Sequence, residues 1–213
     1  MGRPRGFDTD RVLDAAIATF TEHGYASCDA RSLCDEAGLA RSSFYNTFGS
    51  KEALFEQALR RYSDRGRVAA AEMRTATAPA PVLIHERLAG QVLPQCEDDR
   101  RAGCLTVNTA VELGRSVADV AAIIDADRAD WLATYAEVIR RGQREGHLRR
   151  ELDPTVHAAL LHTTLAGMRV TARIVDEDEL RVQIDTFVAG WCTESGRAEL
   201  LSARKPLQNE EST

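Results

Sequence analysis

The chain has 213 residues, 44 % of them apolar, which suffices for one good core and a smaller satellite and so for one or two domains. No apolar run approaches the roughly twenty residues of a membrane span, and the start MGRPRGFD is no secretion signal, so a cytoplasmic protein with no membrane partner is expected. The net charge of −6 is unevenly spread: up to Arg67 ten basic residues balance ten acidic ones, and the whole deficit lies beyond. Cys28, Cys34, Cys96, Cys104 and Cys192 are odd in number and form no CxxC pair, which argues against a disulfide framework or a zinc finger and for reduced thiols.

Met1 to Asp8 contains Arg3 and Arg5 in a Gly-Arg-Pro-Arg segment too polar to fold alone. It is either a disordered tail or an arm that lays arginines into a narrow minor groove. From Asp8 to His23, Val12, Leu13, Ala16, Ile17 and Phe20 recur at helical spacing, with Asp8 or Thr9 as cap and Gly24 as stop. A second helix starts near Cys28-Asp29 and buries Leu33, Cys34 and Ala37; Cys28 is a poor acceptor, and Asp29 is the alternative cap. Gly38-Leu39-Ala40 makes a three-residue turn, Arg41 to Phe48 a short helix lying across the second, and Gly49-Ser50-Lys51 a break. This is the helix-turn-helix plan.

A helix in the major groove presents three or four side chains to base edges and clamps the backbone with the rest. Arg41, Ser42 and Ser43 are the candidates for bases, Tyr45, Thr47 and Lys51 suit phosphate, and Asn46 suits either. Phe44 and Phe48 point into the three-helix core. Ala40 removes one helix cap and with it a phosphate bond.

The run from Gly24-Tyr25 through Ala37-Gly38, Phe44-Tyr45, Phe48 and Ser50-Lys51-Glu52-Ala53-Leu54-Phe55 resembles the DNA-binding domain of the TetR family of transcriptional regulators. The resemblance implies an all-α fold: an arm and helix-turn-helix domain over 1–50, a connecting helix over 51–76 acting as a lever, and a ligand-binding and dimerisation domain over 77–195. Residues 196–213 read as a disordered tail. GCLTVNTAVELG, from Gly103 to Gly114, is similar to the opening of a central helix in a subset of that family that includes a regulator of electrophile response.

Beyond the helix-turn-helix, the helix opened by Ser50 carries Leu54, Phe55, Ala58, Leu59 and Tyr62 and runs to about Ala76, before Pro79 and Pro81. A short amphipathic helix is predicted over 82–96, then a charged break over 97–101. Gly103 to Leu113 is apolar almost all round and reads as buried on most sides. A long helix from Val117 to Arg141 turns Val120, Ile124, Trp131, Tyr135 and Val138 inward, and Gly142 and Gly146 loosen its end. Asp153-Pro154 starts a helix to about Val175 with two apolar faces, Val156, Leu160, Gly167, Val170 and Ile174 on one and Leu161, Leu165 and Met168 on the other. A last helix over 179–193 adds Ile184, Phe187 and Trp191. These two helices resemble the pair that makes a four-helix bundle between TetR-like protomers, so their apolar residues are the expected homodimer interface.

No catalytic, metal or cofactor constellation is present: His157 and His162 do not share a helix face, and no glycine-rich phosphate loop follows a strand. Cys104 opens a helix just after Arg100 and Arg101, a setting that favours a thiolate sensor. Trp131, Tyr135 and Met168 suggest a mainly apolar ligand pocket. The reading is a homodimeric repressor released from double-stranded operator DNA by a small-molecule effector, with a helical dimerisation module that does not read DNA, or an activator on the same fold, as alternatives.

Overall fold

The computed structural model describes residues 8–97 and 102–203. These residues form eleven helices: α1 Thr9–His23, α2 Ala30–Ala37, α3 Arg41–Phe48, α4 Lys51–Thr75, α5 Ala80–Val92, α6 Pro94–Glu97, α7 Leu105–Glu112, α8 Ala118–Arg144, α9 Pro154–Thr171, α10 Glu177–Ala189 and α11 Glu194–Ala203. The expected all-α class is what the chain adopts, with an isolated bridge between Leu148 and Cys192 as its extended pairing among the described residues.

Local chemistry sets most helix ends. Asp8, Ser50, Asp153 and Asp176 each accept a bond from an otherwise free first-turn amide. At α2 the cap is Asp29, whose carboxylate accepts from Ser32 N at 2.8 Å while Ser32 Oγ accepts from Asp29 N at 3.2 Å. Gly38 then ends α2 in the left-handed region, at φ 62°, where a Cβ would be strained.

Two apolar clusters form. The first gathers Val12, Phe20, Leu33, Phe44 and Phe48 around the start of α4, and it also takes in Leu105 from α7 and Val120 and Ile123 from α8. The second joins the end of α4 to α5, α8, α9 and α10 around Trp131, Tyr135, Leu161 and Leu165. Helix α4 therefore enters both cores, Leu54 to Leu59 in one and Ala70 and Met73 in the other. Its far end is fastened to α8: Arg141 Nη1 donates to Ala76 O at 2.7 Å, and Arg74 Nη1 to Thr134 Oγ1 at 2.8 Å.

Four expectations are corrected. Helix α7 is buried along one side only, through Leu105 and Thr109, and Val111 is 81 % exposed. Gly142 lies within α8 rather than loosening it: an added Cβ would meet Ala80 Cβ at 2.6 Å, so its missing side chain lets α5 pack onto α8. Residues 196–203, expected in a disordered tail, belong to α11, which docks on α5 with Leu200 buried; 204–213 lie outside the described residues. Finally, Ile184 and Trp191 are 1 % and 7 % exposed in their own protomer's core, and Phe187 packs partly buried beside them, so none of the three forms an open partner face. The apolar residue that α10 turns outward is Val182.

Candidate nucleic-acid interface and internal cavity

Helix α3 has eight residues and two faces. Phe44 and Phe48 are buried in the first core, as periodicity predicted, and this fixes the opposite face toward solvent. Arg41, Ser42, Tyr45 and Asn46 are exposed there, with Ser43 and Thr47 half-buried at its edges. Tyr45 leans edge-on against Phe44, ring centroids 5.1 Å apart, which holds its hydroxyl outward. Ala40 supplies no side-chain cap, so the first amides of α3 have no side-chain acceptor. Lys51 is tied down: its ammonium donates to Tyr25 O at 3.2 Å and Cys28 O at 3.0 Å and sits 4.1 Å from the centre of the Tyr25 ring. Of its three N–H donors one remains for a phosphate. Arg3 and Arg5 lie outside the described residues, as do Arg100 and Arg101.

Beside the middle of α4, at Tyr62 to Ala69, is a cavity of about 270 Å³ between α4, α5, α7, α8 and α9, with Ile17 of α1 at its edge. Trp131 and Tyr135 line it as expected, with their ring centroids 5.3 Å apart, whereas Met168 points into the second core instead. The expectation of a mainly apolar pocket with few polar anchors is corrected by the rest of the wall: Arg65, Arg87, Arg169, Asp127, His162 and Gln91. Arg87 lies over the Trp131 ring at 3.7 Å and donates from Nε to Tyr135 Oη at 3.3 Å. Arg169 donates from Nη2 to Gln91 Oε1 at 2.5 Å and from Nη1 to Cys104 Sγ at 3.1 Å. Burial first, then the positive charges of Arg128, Arg169 and Arg87, push His162 down to about 4, so the imidazole is neutral at pH 7. Burial raises the Asp127 carboxyl against the opposing pull of Arg169 and Arg87.

Cys104 is the residue before α7, 2 % exposed, and its sulfur meets Tyr62 Oη at 3.3 Å as well as Arg169. Tyr62 and Arg169 both line the cavity, so the thiol stands one side chain behind its wall. The same helix grips the N-terminal domain. The Glu112 carboxylate accepts from Tyr25 N at 2.7 Å and Ala26 N at 2.5 Å, and Asn108 Nδ2 donates to Thr21 O at 2.9 Å.

Sequence reasoning missed the arginines, Glu112 and Asn108. One signal was available for Arg169, a cation between Leu165 and Ala172 in a helix otherwise rich in apolar residues. Among the described residues no group of three ligating side chains could hold a metal ion, and no helix is long and apolar enough to cross a membrane.

Comparison with known proteins follows the same division. Residues 12–58 match the family model described as bacterial regulatory proteins, tetR family, and residues 88–187 match the tetracyclin repressor-like C-terminal domain. The chain is 29 % identical over 176 residues to the HTH-type transcriptional repressor ComR of Escherichia coli K12, covering 81 % of this chain and 82 % of that protein. It is 28 % identical over 178 residues to the HTH-type transcriptional repressor DhaR of Mycobacterium sp. strain GP1, with 83 % and 86 % covered. The fold superposes with a TM-score of 0.75 on a cysteine mutant of the TetR family regulator CifR bound to a 26-base-pair operator duplex, at 29 % identity over 89 % of this chain and 100 % of that one. With a helix-turn-helix head and a helical C-terminal domain that each match, the chain belongs to the TetR family of bacterial transcriptional regulators.

Proposed function

We propose that the chain is a transcriptional repressor that binds two-half-site operator DNA as a homodimer and lets go when a small molecule enters the cavity beside the middle of α4. The observation that carries the reading is the outward face of α3. Arg41, Ser42, Tyr45 and Asn46 are exposed on a helix whose other face is locked by Phe44 and Phe48, so the displayed side chains are positioned and open to a partner. Arg41 suits a bidentate bond to guanine, and Tyr45, Thr47 and Lys51 suit the flanking phosphates.

A second copy is required to present two such helices about 34 Å apart, and α9 offers its seat. Val156, Leu160, Thr163, Gly167 and Val170 succeed one another at intervals of four, three, four and three residues, a heptad-like seam, and Ile174 follows in the turn just beyond the helix. Val156, Leu160, Val170 and Ile174 are 54 %, 47 %, 50 % and 79 % exposed in the single protomer, too much apolar surface in one line to be left to water. Val182 on α10 is exposed as well.

Two elements join cavity and head. Helix α4 lies in both cores, and α7 carries Cys104 at one end and the Glu112 grip on Tyr25 and Ala26 at the other. A ligand that favours a different seating of α7 and α4 selects a dimer whose α3 helices no longer fit the half-sites. A fluorescence-anisotropy titration of genomic fragments tests the whole reading. Arg41→Ala with Tyr45→Phe is expected to abolish selection of one fragment over random duplex while the protein stays a folded dimer; a monomer, or equal affinity for all duplexes, would refute it.

A second trigger is favoured by the Cys104 geometry. Addition of the Cys104 sulfur to the C=O of an aldehyde or the conjugated C=C of a quinone would form an S–C bond as that π bond breaks and the thiol proton passes to the adduct's oxygen. The added group, in a packed spot between Tyr62 and Arg169, would force α7 to move. Release of operator by an aldehyde or quinone that persists unchanged in Cys104→Ser would remove this trigger.

A further inference from the structure

The cavity wall holds more positive than negative charge, and the surplus is not accounted for by the protein. Arg65 stands at the mouth and is ion-paired with Asp14. Arg87 and Arg169 are different: among the described residues no carboxylate lies within ion-pair distance of either. Their partners are not carboxylates but a phenol, an indole face, an amide oxygen and the Cys104 sulfur. The Nε of Arg169 is buried with no acceptor at all. Asp127, the carboxylate on this wall, feels the charges of both arginines but makes no ion pair with either, so the wall keeps one more cation than it has carboxylates to match. His162 is kept neutral in the same field.

A guanidinium held by partners other than carboxylates keeps its orientation while its charge stays unanswered, which is the arrangement that receives an anion. The remaining wall includes the apolar side chains of Val107, Trp131, Leu165 and Ala166. At about 270 Å³ the space lies below the usual range of drug-sized sites.

We propose that this cavity binds a small organic carboxylate, its head between Arg87 and Arg169 and its apolar body along Trp131 and Leu165. The inference deepens the effector reading and rests on it. The carboxylate would stand beside the Arg169–Cys104 contact, so its arrival bears directly on the start of α7.

The test is calorimetric and thermal-shift titration of the full-length dimer with acetate, butyrate, hexanoate, octanoate, benzoate, phenylacetate and cinnamate, each paired with its amide. At least one acid should raise the melting temperature and bind at least about tenfold more tightly than its amide. Arg87→Gln and Arg169→Gln should each weaken that acid by about ten- to a hundredfold, the range of a hydrogen bond to a charged group. Amides binding as well as acids, inorganic phosphate binding as tightly as the best acid, or no acid binding at all would overturn the proposal. Should either variant fail to fold, the acid and amide pair on the native protein still decides. The same titration with a labelled operator fragment separates the two readings: an acid that binds without releasing the fragment removes its role as effector, whereas unliganded protein that selects no fragment refutes the regulator reading itself.

Discussion

Arginine appears in opposite settings just before α4 and beside its middle. On α3 Arg41 stands on a convex surface in water, while Arg87 and Arg169 are enclosed by side chains in a small cavity. The same guanidinium is screened by salt in the first place and much less in the second. An exposed arginine is suited to a polyanion that supplies many contacts at once, and an enclosed pair to a small anion that must be held by few. The two proposed anions, of different size, would thus be met by one residue type, and the difference lies in the surroundings of the charge.

The comparison breaks first if the exposed site does not act in pairs. Leu160→Glu together with Val170→Glu places four like charges on the α9 seam of a dimer, and sedimentation should show folded monomer with operator binding lost altogether. Next in size is the exposed arginine itself: Arg41→Ala should weaken selected over random duplex by roughly ten- to a hundredfold in anisotropy, as expected for one bidentate base contact. The rigid support behind it is tested by Phe44→Ala, which should cost about 3–5 kcal/mol of stability in chemical denaturation, because its ring is 1 % exposed in the first core. The link between the two sites is sharpened by Glu112→Gln with Asn108→Ala. This pair should leave the affinity for effector nearly intact and lower the effector-induced loss of operator affinity by several-fold, out of the 5- to 150-fold range of ordinary couplings.

The smallest effect is on pH. Unfolded, His162 takes up its proton near 6.5; folded, burial and the nearby arginines delay this to about 4. Below 6.5 the unfolded state therefore binds more protons, and stability falls with pH until about 4, where the folded imidazole protonates too. Thermal melts of His162→Asn should show a shallower decline over that window than the native chain; parallel declines would mean that the cavity does not repel the proton.

The first core could be read almost entirely from the chain in one dimension. Val12, Ala16, Ile17 and Phe20 recur at helical spacing, Asp29 sits where α2 needs an acceptor, and Gly38 sits where the helix must leave the right-handed region. All of these depend on neighbours a few residues away. The two faces of α9 were equally legible for the same reason. Helix α11 was not, because its order comes from Leu200 docking on α5, more than a hundred residues distant in sequence. Nor could periodicity say which face of α10 would be covered by its own protomer, and there Ile184 went inside and Val182 outside.

By itself the sequence determined the helix-turn-helix head, the side chains on its outer face and the apolar seam of α9, since caps, turns and the 3.6-residue period act over a few residues. Only the tertiary structure brought Arg65 from α4, Arg87 from α5 and Arg169 from α9 around one cavity, and set Glu112 of α7 on the backbone of Tyr25 and Ala26. A charge on an isolated helix shows nothing of what it will face. Its counter-ion, burial and purpose depend on which helices pack beside it, and that is settled by the summed apolar contacts of the whole domain.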